Sequence, residues 1–233
     1  MKGGNFLELG LTLGGKEYII PDTIVNMYFV AFLLTIFALI VNNKVKNRNT
    51  HESPSGFLNV VEMLVEAVDN LVKTTMGAQN KGFTPYILTL VCFLAVSNLL
   101  GLIGLTPPTS DYSVTLALAL ITFALTQFFA IKNAKGIGGY LKGFTEPFLL
   151  LTPINVIGEF GNVISLSFRL FGNVMSGGII IALLYSALGF LAPLIAGPLQ
   201  IYFDVFSGLL QTFIFVMLTM IFVGGNSEED TKI

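Results

Sequence analysis

Residues 154–188, INVIGEFGNVISLSFRLFGNVMSGGIIIALLYSAL, run without a proline. As one helix this stretch is about 52 Å long. A bilayer core is only about 30 Å thick, so the helix must tilt steeply, bend or leave the membrane. Glycines at 158, 161, 172, 177 and 178 permit close packing and bending. At about 100° per residue, Asn155, Gly158, Asn162, Ser165, Arg169, Asn173 and Ser176 fall within about 40° of Arg169. Glu159 lies about 80° to one side. The result is a polar stripe on an apolar helix, with a cation at its middle. A charge at bilayer depth costs at least about 2.5 kcal/mol. An ion pair with Glu159 or Asp204 would account for the arginine alone. An ion or substrate pathway would account for the whole stripe.

The rest of the chain supports a membrane setting. Of 233 residues, 54% are hydrophobic and 11% charged, with a mean hydropathy of +0.80. A soluble domain carries about 25% charge. This composition excludes a disordered chain, a disulfide-stapled domain and a nucleic-acid binder with a basic face. The single cysteine, Cys92, lies in an apolar run and reads as a small buried hydrophobe. The expected fold is an all-α integral membrane protein forming one membrane domain. Five membrane-embedded helices are expected at 24–41, 84–103, 113–131, 153–188 and 199–223. The runs are continuous rather than alternating, so helices must satisfy the backbone. Residues 1–23 lack a compact apolar core of signal-peptide type, and the first span reads as a retained anchor.

Cation placement orients the spans. Lys44, Lys46, Arg48, Lys73 and Lys81 follow the first span, and Lys132, Lys135 and Lys142 follow the third. The connections 104–112 and 189–198 hold none, and residues 1–23 hold only Lys2 and Lys16. The N-terminus is therefore expected outside and the tail 224–233 in the cytoplasm. Residues 57–76 form an amphipathic helix. Phe57, Val60, Val61, Leu64, Val65, Val68, Leu71 and Val72 share one side, and Glu62, Glu66, Asp69 and Lys73 the other. Too polar to span, it is expected at the cytoplasmic surface, against lipid and neighbouring helices or against a docking partner. His51 lies in the polar connection before it and reads as solvated.

The last span carries a second stripe. Gln200, Asp204, Ser207 and Gln211 follow i, i+4, i+7, i+11 spacing and are expected on one face. With the fourth span it would form a long, steeply tilted hairpin that brings the two stripes together. Asn98, in the second span, reads as a helix–helix hydrogen-bonding group. No nucleotide-binding loop, zinc spacing or hydrolase motif occurs, and no cofactor is expected. The absence of an internal repeat weighs against a self-contained transporter that binds an anion at Arg169. The paired stripes weigh against a passive scaffold.

Ser165-Leu-Ser-Phe-Arg-Leu-Phe-Gly-Asn173, followed by Met175-Ser-Gly-Gly178, resembles the signature of the a subunits of F-type rotary ATP synthases. Gln211-Thr-Phe-Ile-Phe-Val-Met-Leu-Thr219 resembles the family's second signature. Pro153-Ile-Asn155, Asn98-Leu-Leu-Gly101 and the layout of spans are similar to the bacterial form. The resemblance implies a multi-pass stator subunit of the bacterial plasma membrane. It abuts a ring of c subunits, is held by peripheral-stalk b subunits, and binds neither nucleotide nor nucleic acid. Two aqueous half-channels would lead to the ring carboxylates, and Arg169 would be the essential arginine. Gln211 would face it, with Asn173 one turn on and Glu159 on the cytoplasmic side. Asn155, Asn162, Ser165, Gln200 and Ser207 complete the expected pathway. The chain departs from the family's familiar relay at two positions. Gly178 stands where many relatives have Glu or His, and Asp204 where many have His. Gly178 cannot relay a proton. Asp204 could relay one or make a transient contact to Na⁺, and the coupling ion stays open between H⁺ and Na⁺.

Overall fold

A computed structural model describes residues 9–13, 16–47, 56–134, 136–145 and 148–225. Lys2, Arg48, Lys135 and residues 226–233, on which part of the orientation argument rests, lie outside the described residues, as does His51. The chain opens on a two-stranded antiparallel hairpin, β1 (Leu9–Leu13) and β2 (Lys16–Ile20), with Leu9 opposite Ile20. The reading of residues 1–23 did not anticipate it. Its sequence signal is Gly14-Gly15 between Leu-Thr-Leu and Tyr-Ile-Ile. From residue 22 onward the elements are helical: α1 (Asp22–Lys46), α2 (Gly56–Met76), α3 (Thr84–Leu99), α4 (Tyr112–Asn133), α5 (Ile137–Thr145), α6 (Thr152–Leu188), α7 (Ala192–Ile201) and α8 (Gly208–Gly225).

Among the described residues, four helical stretches are long and apolar enough to cross a membrane. They are Asp22–Lys46, Ala78–Ile103, Tyr112–Lys132 and Thr152–Gly225, the last with 74 residues. Within that last stretch Gly189 has φ +50°, which glycine adopts without a β-carbon penalty. There the chain turns back, and α7 and α8 pack along α6. Sequence reading begins the final span at residue 199. In the structure Ala192–Ile201 is already helical, because Pro193 occupies the first turn, where its missing N–H costs nothing.

The core lies where α2, α3, α4, α6 and α8 meet, around Val72, Leu94, Leu170, Phe215 and Met220. The amphipathic α2 docks by halves. Val68, Val72 and Met76 are buried in this core, and Met76 lies against Gly224. Phe57, Val60, Leu64 and Val65 are exposed. Helix α1 stands apart, with only Asn26 and Val30 buried. It is pinned at one end, where Asn26 Nδ2 donates to the Thr106 carbonyl at 2.8 Å and Thr23 Oγ1 to Asp111 Oδ2 at 3.1 Å.

Lipid is as apolar as leucine, so polar contacts and close approach hold such helices together. Asn98 is the clearest case. It is buried, and its Nδ2 donates to the Gly208 carbonyl at 3.0 Å and to Thr212 Oγ1 at 3.1 Å. Its Oδ1 accepts from Thr109 Oγ1 at 2.7 Å. One amide thus ties α3 to α8 and to the connection before α4. Asn98→Leu is expected to destabilise this junction by about 1–2 kcal/mol, leaving the Thr109 hydroxyl unpaired. Thermal denaturation in detergent checks this, and an unchanged midpoint would contradict it.

Candidate functional site

The pairing of α6 with the last helices has a readable register. Ser207 Oγ donates to Asn173 Oδ1 at 2.7 Å, and Asn173 Nδ2 reaches the Ser207 carbonyl at 3.4 Å. One turn along, a β-carbon added at Gly177 would stand 3.2 Å from Phe203 Cγ. The pairs 173/207 and 177/203 step in opposite directions, so the helices are antiparallel. One turn the other way brings Gln211 level with Arg169. Gln211 is buried, and its Nε2 has no hydrogen-bond partner among the described residues.

Arg169 itself is exposed, although the adjacent Leu170 is fully buried. Gly158, Asn162, Ser165 and Ser176 are exposed with it, and Asn155 and Asn173 are half-buried. The polar stripe of α6 is therefore open sideways along much of its length. Arg169 pairs with neither Glu159 nor Asp204. Glu159 lies ten residues back, about 15 Å along the helix. Asp204, by the register above, lies level with Ser176, about 10 Å the other way.

Each acid sits in a polar site of its own. Glu159, Asn162, Thr122 and Thr126 line a cavity of about 60 Å³ between α4 and α6. Apolar residues, Phe123, Val163 and Leu166 among them, complete the lining; a single water needs about 10–15 Å³, so the space can hold water beside its polar groups. Thr122 Oγ1 lies 3.3 Å from Thr219 Oγ1, which joins α4 to α8 at the cavity wall. On the other side, the Asp204 carboxylate packs against Gly101 of the turn after α3. A β-carbon there would fall 2.6 Å from Asp204 Oδ2. Gln200 Nε2 donates to the Gly101 carbonyl at 3.1 Å. Asp204 Oδ2 is buried without a hydrogen-bond partner among the described residues.

The expected single face of Gln200, Asp204, Ser207 and Gln211 is split. Gln200 and Asp204 turn toward α3, while Ser207 turns toward Asn173 of α6. The cause is a π-helical turn, Tyr202–Ser207, between α7 and α8. A wider turn rotates the chain less per residue than an α-helix does. Pro198 inside α7 removes one hydrogen bond from the ladder just ahead of it. Sequence reasoning also missed Thr122, Thr126, Gln127 and Tyr140. The i, i+4 pair Thr122/Thr126 was the available signal in the third span.

Comparison with known proteins decides the family. The profile of the ATP synthase A chain family matches residues 24–224. The chain belongs to the ATP synthase A chain family. It is 36% identical over 226 residues to ATP synthase subunit a of Geotalea daltonii, covering 95% of this chain and 92% of that one. It is 37% identical over 213 residues to the subunit a of Geotalea uraniireducens, covering 89% and 88%. It is 34% identical over 221 residues to the subunit a of Propionigenium modestum, described as sodium ion specific, covering 88% and 73%. As an ATP synthase A chain it is a multi-pass membrane protein of the bacterial ATP synthase complex. It is the ion-translocating stator of the membrane sector, and catalysis resides elsewhere in the complex.

Proposed function

We propose that the exposed stripe of α6 faces a rotating ring of c subunits, with Arg169 acting on each ring carboxylate as it passes. The observation that carries this reading is the sideways exposure of Arg169 midway between two separate polar sites. Lipid cannot cover a guanidinium at such a face without a cost of several kcal/mol, whereas a partner bearing a carboxylate can. A fixed cation lowers the affinity of that carboxylate for its ion, so the ion leaves there. The Glu159 cavity is the cytoplasmic half-channel, with Asn155 and Asn162 beside it and Ser165 between it and the arginine. The Asp204 site, with Gln200, is the outer half-channel. Asn173 and Ser207 tie the two helices across the divide, and Gln211 stands level with Arg169.

In this reading α6 and α7–α8 cross the membrane as a steeply tilted hairpin, giving five spans. The N-terminus lies outside and the C-terminus in the cytoplasm. The peripheral-stalk b subunits hold the stator, and α2 lies on the cytoplasmic surface. A carboxylate at 204 can relay a proton or ligate Na⁺ through oxygen. The response of ATP hydrolysis to Na⁺ at alkaline pH separates these ions.

Thiol labelling tests the two-channel arrangement. In a Cys92→Ser background, Asn162→Cys is expected to react with an impermeant reagent applied from the cytoplasmic side only. Gln200→Cys is expected to react from the outside only. Labelling of both from one side would overturn the reading.

A further inference from the structure

A hydrogen-bonded string reaches Glu159 from outside the hairpin. Tyr140 of α5 donates its phenolic hydroxyl to Gln127 Oε1, and Gln127 Nε2 donates to Glu159 Oε2 at 2.9 Å. The three residues belong to three different helices and are all half-buried. An amide side chain presents an acceptor on one side and donors on the other. With its oxygen engaged by the phenol, Gln127 turns its N–H toward the carboxylate. The opposite orientation would set oxygen against oxygen at Glu159. Burial, and then the charge of Glu159, push the Tyr140 phenol above its ordinary pKa, so it remains a donor at neutral pH.

We propose that Gln127 and Tyr140 are positioning residues that hold the Glu159 carboxylate at the wall of the adjoining cavity. Helix α5, a connection between two spans, thereby sets the geometry at that end of the ion route. The proposal rests on the reading of Glu159 as part of the half-channel. By hydrogen bond Tyr140 reaches Glu159 through Gln127, and this order makes the string distinguishable from two independent contributions to packing.

The test uses the whole complex reconstituted in vesicles, with ATP-driven ion pumping as the readout. Gln127→Leu is expected to slow pumping about tenfold and Tyr140→Phe about threefold, in line with loss of one hydrogen bond to a charged group. The double variant is expected to be no slower than Gln127→Leu alone. Gln127→His keeps a donor and an acceptor on opposite ring nitrogens and is expected to restore at least about half the rate. Full pumping by both single variants, a double variant slowed by the product of the two, or no rescue by histidine would each overturn the proposal. Tyr140→Phe removes only an oxygen and decides the matter should Gln127→Leu fail to assemble. Glu159→Gln run alongside separates the two readings. If it pumps at the full rate, the assignment of Glu159 to the pathway fails. If it is slow while the other variants are normal, only the string fails.

Discussion

Arg169→Ala is expected to abolish ion-driven ATP synthesis and ATP-driven pumping while leaving the complex assembled. The side chain is exposed and takes no part in the core around Leu170, so its removal opens no cavity. What is lost is the only positive charge of the α6 stripe. Without it a ring carboxylate has no reason to release its ion at that point, and ions can pass between the half-channels without turning the ring. A drop of at least about a hundredfold is expected, equivalent to about 2.7 kcal/mol. Arg169→Lys should retain little, because an ammonium sheds its proton more readily and lacks the planar fork. Synthesis in membrane vesicles, read beside the amount of assembled complex, is the check. Retained coupled synthesis by Arg169→Ala would sink the proposed role.

Asp204→Asn carries the second large effect. Asparagine keeps the size of the group and can still lie between Gln200 and Gly101, but it neither takes up a proton nor neutralises a cation. Acid–base groups positioned on a transfer route contribute about a hundredfold or more, so synthesis driven from the outer side should fall at least about tenfold. Gly101→Val makes the same point from the opposite wall. Its side chain would occupy the space held by the carboxylate, which a β-carbon alone would approach to 2.6 Å. It should slow entry while leaving Asp204 chemically intact. Unchanged flux in Asp204→Asn across pH and Na⁺ concentration would make the carboxylate structural.

The parts of this fold that were legible in the sequence are those governed by simple periodicity. Continuous apolar runs marked the long apolar helices, and the proline-free stretch gave the long α6. Its repeat gave the stripe that the structure leaves exposed around Arg169. Asn98 was also legible as a joint between helices, since a lone amide in lipid must find partners. Other features rest on tertiary contact. Helix α5, Ile137–Thr145, carries three glycines in nine residues, so its local propensity for helix is weak. Gln127 and Tyr140 carry no sequence signal of their own, and only packing brings them to Glu159. The half-docked state of α2 was hidden because its apolar face continues unbroken into residues that nothing here covers. The face assigned to Gln200, Asp204, Ser207 and Gln211 assumed a uniform α-helical repeat, which the turn at Tyr202–Ser207 does not obey.

That turn has an evolutionary consequence. A π-helical turn is what an α-helix becomes when one residue is inserted without breaking it. The final helix can therefore absorb a single-codon insertion or deletion at Tyr202–Ser207, re-aiming everything upstream of it by a fraction of a turn. The half bearing Gln211 stays locked to α6 by the Ser207–Asn173 contact. Asp204 sits within the turn and Gln200 ahead of it, so such a change would re-aim both at the cost of the Phe203 contact with Gly177.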